Sequence, residues 1–96
     1  MTIKELLKNN RDEILRIAAR YSVNNIRVFG SAARGDADSN SDIDFVVELE
    51  QGWGLIEHVA FKQELEALLG RKVDVVVEQG LRDIVRDRVL SEATPL

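Results

Sequence analysis

Three aspartates stand where carboxylate chemistry can be done. The segment Asp42-Ile43-Asp44-Phe45 sets two acids at i and i+2. In a strand, side chains alternate, so both acids point to one face, about 6.6 Å apart at ~3.3 Å rise per residue. At an effective dielectric of about 20, two such charges repel by about 2.5 kcal/mol. A strand seldom holds that arrangement without a cation. The third acid, Asp74, interrupts the run Val73-Asp74-Val75-Val76-Val77. An acid inside so apolar a strand is costly unless it is paired or metal-bound. If the two strands are neighbours, ~4.8 Å apart, the three carboxylates converge. Oxygen-only ligands select a hard cation, Mg²⁺ or Mn²⁺. The plainer alternative is that Asp42 and Asp44 close a solvated loop together with Asp36 and Asp38. That alternative does not predict an acid within a valine run. Asp36 and Asp38 themselves are read as solvated loop acids.

Ahead of this pair, Phe29-Gly30-Ser31-Ala32-Ala33-Arg34-Gly35 leaves an apolar stretch and turns sharply. Gly30 lets the backbone approach a ligand closely. The amides after it, at a possible helix start, suit a phosphate, and Ser31 adds a hydroxyl donor. Arg34 follows the turn and could contact the same phosphate. Gly30 and Gly35 have the spacing of a P-loop, but Asp36-Ala37 stands where Lys-Ser/Thr is required. Asp36-x-Asp38-x-Asn40 resembles the start of an EF-hand loop. There Ser41 replaces the turn glycine and Val47 the terminal glutamate, so that reading is rejected too.

The elements that must position these residues follow from periodicity. Thr2 to Tyr21 reads as helix, with apolar residues recurring at three and four. Capping-box pairs at Thr2/Glu5 and Asn10/Glu13 predict a kink or restart near Asn9-Asn10. Val23-Asn24-Asn25 reads as a turn and Ile26–Phe29 as a short strand. Gly30 to Ser41 is a loop with a helical turn at Ser31–Arg34. Asp42 to Leu49 is a second strand, and Gln51 to Gly54 a connection. Leu55 to Leu69 is a helix stopped by Gly70. Lys72 to Val77 is a third strand whose valines imply burial on both faces. Glu78-Gln79-Gly80 is a turn. Leu81 to about Glu92 is a last helix on Leu81, Ile84, Val85 and Val89, ended by Pro95. The Leu55–Leu69 helix can cross between two parallel strands, with the first two strands antiparallel. The expected fold is α/β (α+β): a small mixed sheet of about three strands flanked by helices.

Composition limits the alternatives. A chain of 96 residues forms a single domain, 1–96, by length. It has no cysteine and one histidine, His58, which excludes disulfides, thiol catalysis and Cys- or His-rich metal sites. Thirteen basic against 17 acidic side chains, net −4, leave no general basic footprint, so direct nucleic-acid binding is not expected. No apolar run approaches the ~18–20 residues of a membrane span, and the N-terminus is too polar for a signal peptide. The expectation is a soluble cytoplasmic protein without membrane contact. Arg82, Arg86 and Arg88 read as a solvated helix face. Trp53 reads as core packing against the following helix or an interface anchor, and His58 as a helix-surface residue.

The combination of motifs is more specific than any one of them. An apolar residue, Gly30-Ser31, ten residues, Asp42-Ile43-Asp44-Phe45, then Val73-Asp74-Val75 resembles the DNA polymerase β-type nucleotidyltransferase superfamily. Within it, the chain resembles the minimal nucleotidyltransferases (MNT), often paired with a HEPN-domain protein. The likeness extends over Val28–Gly35, Leu69–Asp74 and the ending Arg88–Ala93. It implies transfer of a nucleoside monophosphate from a triphosphate to a hydroxyl, releasing pyrophosphate. By the same resemblance Gly30, Ser31 and Arg34 would bind the nucleotide. Asp42, Asp44 and Asp74 would form the catalytic and metal-binding set for Mg²⁺ or Mn²⁺, and Asp74 would receive the acceptor's proton. Larger members of the superfamily carry a second domain that binds the acceptor, so a partner or an oligomer is expected to supply it here. The family pairing implies a toxin–antitoxin system in which this chain is the antitoxin. It would attach AMP from ATP to a hydroxyl, tyrosine being the expected one, of a HEPN-type RNase toxin in a hetero-oligomer. The alternatives are a non-catalytic antitoxin that blocks its toxin by direct binding, and a small-molecule nucleotidyltransferase.

Overall fold

The computed structural model describes residues 2–35, 41–50 and 53–96. In chain order the elements are α1 (Ile3–Asn9), α2 (Arg11–Arg20), β1 (Val23–Phe29), α3 (Ser31–Arg34), β2 (Ile43–Leu49), α4 (Leu55–Leu69), β3 (Val73–Val77), a 3₁₀ turn (Glu78–Gly80), α5 (Asp83–Glu92) and β4 (Thr94–Pro95). Asp36, Asp38 and the Gln51-Gly52 part of the connection lie outside the described residues.

The expected break in the first helix is present. Thr2 caps α1 through its hydroxyl, which accepts from the Glu5 amide at 3.1 Å. The second box does not form. Asn10 makes no side-chain cap on α2; its amide instead donates to the Leu6 carbonyl at 2.8 Å and closes α1. An Asn between two helices can serve either neighbour, and here the backward bond is made.

The sheet has the order β3-β2-β1-β4. β1 and β2 are antiparallel, and β2 and β3 are parallel with α4 as their crossover, as the element lengths require. One face carries the core. Ile26 and Val28 of β1, Ile43, Phe45 and Val47 of β2, and Val73 and Val75 of β3 meet Ile14 and Ile17 of α2 and Phe61, Leu65 and Leu69 of α4. Phe61 is fully buried and touches Tyr21 and Trp53 edge-on, with centroids 5.8 and 5.7 Å away. Trp53 is therefore a packing residue that seals α4 against the end of α2. His58 is half-buried beside it, centroids 6.0 Å apart.

Four sequence expectations are corrected. Val23-Asn24-Asn25 is the start of β1 and not a turn. Asn25 takes a left-handed φ of 48° at a bulge between Asn24 and Arg27, so turn chemistry is used inside a ladder. β3 is an edge strand, and its valines are not buried on both faces: Val73 and Val75 are buried, Asp74 is exposed, Val76 and Val77 are partly covered. The last helix starts at Asp83 rather than Leu81. Of its apolar residues only Val89 is buried, while Ile84 and Val85 are exposed. A fourth strand, two residues long, follows it: Thr94 and Pro95 pair with Val28 and Arg27. Pro can occupy such an edge because the ladder there needs little from its missing N–H.

α5 lies on the sheet face opposite the core. Arg27 and Val46, paired across β1 and β2, point to that face. The Arg27 guanidinium meets buried Glu78 at 3.2 Å, and Arg86 of α5 reaches Glu78 at 3.9 Å. No helix of the described residues is long and apolar enough to cross a membrane. The core assignment makes a direct prediction. Phe61→Ala should cost about 3–5 kcal/mol in a denaturant titration. Against a total of about 5–15 kcal/mol for a domain of this size, that is a large fraction.

Candidate active site

The parallel register of β2 and β3 sets Asp44 directly opposite Asp74. In parallel strands, residues in register share a face, so both carboxylates project from the side away from the core. The face is fixed by their neighbours: Ile43, Phe45, Val73 and Val75 are all buried on the other side. Asp42 immediately precedes β2 and is exposed. The start of the pair is tied down three times. The Ile43 amide donates to the Lys72 carbonyl at 3.0 Å. Arg71 donates to the Ser41 carbonyl at 2.5 Å. The Val73 amide donates to Glu66 of α4 at 3.0 Å. Arg71 and Glu66 are positioning residues that sequence reasoning missed. Nothing in local spacing distinguishes them from other helix-end charges.

The glycine turn completes the site from β1. Phe29, the last residue of β1, pairs with Asp44, so Gly30 emerges beside that carboxylate. Gly30 has φ 69° and ψ −146°, a conformation that essentially only glycine adopts. A Cβ at this position would lie 2.7 Å from Asp44 Oδ2. The absence of a side chain is thus required twice, by the backbone and by the neighbouring acid. Ser31 opens α3, a single helical turn, so any anion held here would meet local amides and the Ser31 hydroxyl rather than a long helix dipole. Arg34 closes that turn and forms an ion pair with Glu92 at 3.1 Å.

The electrostatics follow from this crowding. The half-buried Asp44 carboxyl is pushed above the ordinary carboxylate range. Burial is the largest cause, the charges of Asp74 and Asp42 add to it, and Arg34 opposes them. The charges of Asp42 and Asp74 thus both bear on Asp44. Asp74 does not stand within a buried strand. It is exposed at the sheet edge, and its significance lies in facing Asp44, not in a burial cost. Among the described residues, no three His, Cys, Asp or Glu stand close enough to form a metal-binding group. The facing Asp44 and Asp74 offer oxygen donors alone, the type a hard divalent cation takes. Arg82, Arg86 and Arg88 are exposed on α5 or at its start, as expected of solvated arginines, with Arg86 near Glu78.

A glycine turn beside facing strand carboxylates on a small mixed sheet is an arrangement suited to phosphoryl transfer. The particular family is established by comparison: the model for the nucleotidyltransferase domain matches residues 11–95, and the chain belongs to that family. The chain is a nucleotidyltransferase. The protein adenylyltransferase MntA of Thermococcus cleftensis is 36% identical over 90 residues, which span 94% of this chain and 88% of that one. A solved structure described as a candidate minimal nucleotidyltransferase superposes with a TM-score of 0.89 at 44% identity, covering 100% of this chain and 97% of the other. The MNT antitoxin complex with the tri-AMPylated HEPN toxin of Shewanella oneidensis shares the fold, with a TM-score of 0.71 at 20% identity over 92% of this chain and 69% of that one.

Two substitutions test the geometry. Gly30→Ala should destabilise the fold by about 1–3 kcal/mol, because it imposes both a strained φ and a clash with Asp44. Asp44→Asn should have the opposite effect without divalent ions, raising the thermal midpoint. The raised carboxyl makes the native state bind a proton more tightly than the unfolded chain, so the charged form costs stability above the folded pKa. The gain from Asp44→Asn should accordingly be greatest near neutral pH and fade as pH falls through that value, as read by thermal scans across pH.

Proposed function

We propose that this chain is a metal-dependent protein adenylyltransferase acting as an antitoxin. It transfers AMP from ATP to a hydroxyl, tyrosine by expectation, on a HEPN-type ribonuclease toxin. The observation that carries the reading is the facing pair Asp44–Asp74 with Gly30 packed against Asp44. Support for the protein acceptor comes from the relative named MntA and from the neighbouring complex whose toxin carries AMP groups.

The roles follow from position. The turn amides after Gly30 and the Ser31 hydroxyl would bind the triphosphate, and Arg34 would add a positive charge beside it. Asp42 and Asp44 would hold Mg²⁺ or Mn²⁺, with Asp74 completing the set. A divalent ion held there would supply charge neutralisation for the attacking and leaving oxygens of an in-line displacement. The acceptor hydroxyl oxygen forms a bond to the α-phosphorus, the bond from that phosphorus to the bridging oxygen breaks, and pyrophosphate leaves. Asp74 would take the hydroxyl proton. It lies exposed on the edge strand, where a large acceptor such as a folded protein has access.

The test is the intact mass of the toxin after incubation with this chain, ATP and Mg²⁺. The expected result is a gain of one or more AMP units and loss of ribonuclease activity, both absent with the Asp42→Asn/Asp44→Asn double variant. A toxin silenced by tight binding with no change in mass would replace catalysis with a steric mechanism.

A further inference from the structure

The position of Glu92 links α5 to the nucleotide turn. Arg34 and Glu92 meet at 3.1 Å although 58 residues separate them. The contact is built into the sheet. β4 pairs antiparallel with β1 through Arg27–Pro95 and Val28–Thr94. Continuing that register by two residues brings Glu92 beside Gly30. α5 is also held near its other end, where Arg86 approaches Glu78 at 3.9 Å and Glu78 is locked by Arg27 at 3.2 Å. Between these ends Val89 is its buried anchor. The helix is otherwise mostly exposed, so its contacts with the sheet are few and localised.

We propose that Glu92 is a positioning residue for nucleotide binding: it holds the Arg34 guanidinium beside the Gly30-Ser31 turn, so that the cation is in place before the triphosphate arrives. This rests on the reading that Arg34 faces the triphosphate. A long arginine side chain loses rotamer freedom when it binds an anion, and a carboxylate that already fixes it removes part of that cost. Arg34 also acts on Asp44, lowering the cost of its charge. The Glu92 contact therefore steadies a cation that stands beside the turn. The pair is half-exposed, so the expected effect is modest.

The experiment is a double-mutant cycle read by calorimetric binding of a non-hydrolysable ATP analogue with Mg²⁺, with thermal midpoints recorded in parallel. Glu92→Gln should weaken binding by about threefold to tenfold with little change in midpoint. Arg34→Ala should weaken it at least as much. Adding Glu92→Gln to Arg34→Ala should have no further effect, because Glu92 acts only through Arg34. Unchanged or tighter binding in Glu92→Gln would overturn the proposal, tighter binding meaning that Glu92 competes with phosphate for Arg34. So would multiplicative losses in the double variant, which would indicate a general effect on folding. If the unaltered chain fails to bind the analogue with Mg²⁺, the nucleotide reading itself falls and the role of Glu92 with it. Binding by the unaltered chain without any cycle effect removes only Glu92.

Discussion

Two like charges held opposite one another on adjacent parallel strands are the constraint around which this domain is arranged. Asp44 and Asp74 are in register, and no slip of one residue is open to either strand. A one-residue slip would send the slipped strand's own acid into the core and bring its own buried residue, Phe45 of β2 or Val75 of β3, to the surface. The hydrophobic face therefore enforces the electrostatic strain on the other face. The crossover helix α4 sets the strand direction, its buried Phe61, Leu65 and Leu69 set the depth, and Glu66 ties its last turns to the start of β3. The repulsion is supported by packing elsewhere, the usual arrangement when a functional site is less stable than its surroundings.

The glycine turn belongs to the same constraint. β1 delivers Gly30 to the side of Asp44, and the small distance left there admits no side chain. Glycine turn and carboxylate locus are thus one structure rather than two motifs brought near each other. Asp74 differs from Asp44 in being exposed on an edge strand, open to approach from outside the sheet.

Much of this was legible in the sequence, for identifiable reasons. The strand and helix alternation followed from periodicity and the pairings from connection lengths, whereas the break at Asn10 is present without the capping box that predicted it. The glycine turn and the three aspartates stood out because their residue types are poor choices for the elements that carry them. What escaped was set by tertiary contact. Asn25 looks like a turn residue and is one, but inside a bulged strand. Thr94-Pro95 is too short to show any period, yet its pairing with β1 brings the end of α5 to Arg34 of the glycine turn. Ile84 and Val85 fit an amphipathic helix that the sheet never covers, so their apolar character did not predict burial. Arg71 and Glu66 hold the strand ends through backbone groups, and such bonds leave no sequence pattern.

The most direct measurement is calorimetric titration of the unaltered chain with ATP, with Mg²⁺ and then with a chelator. If the facing carboxylates form a metal–nucleotide site, binding is measurable with Mg²⁺, is lost in chelator, and is lost in Asp44→Asn even with Mg²⁺. Equal affinity with and without the divalent ion, or undiminished binding by Asp44→Asn, would contradict the assignment of these aspartates to the metal.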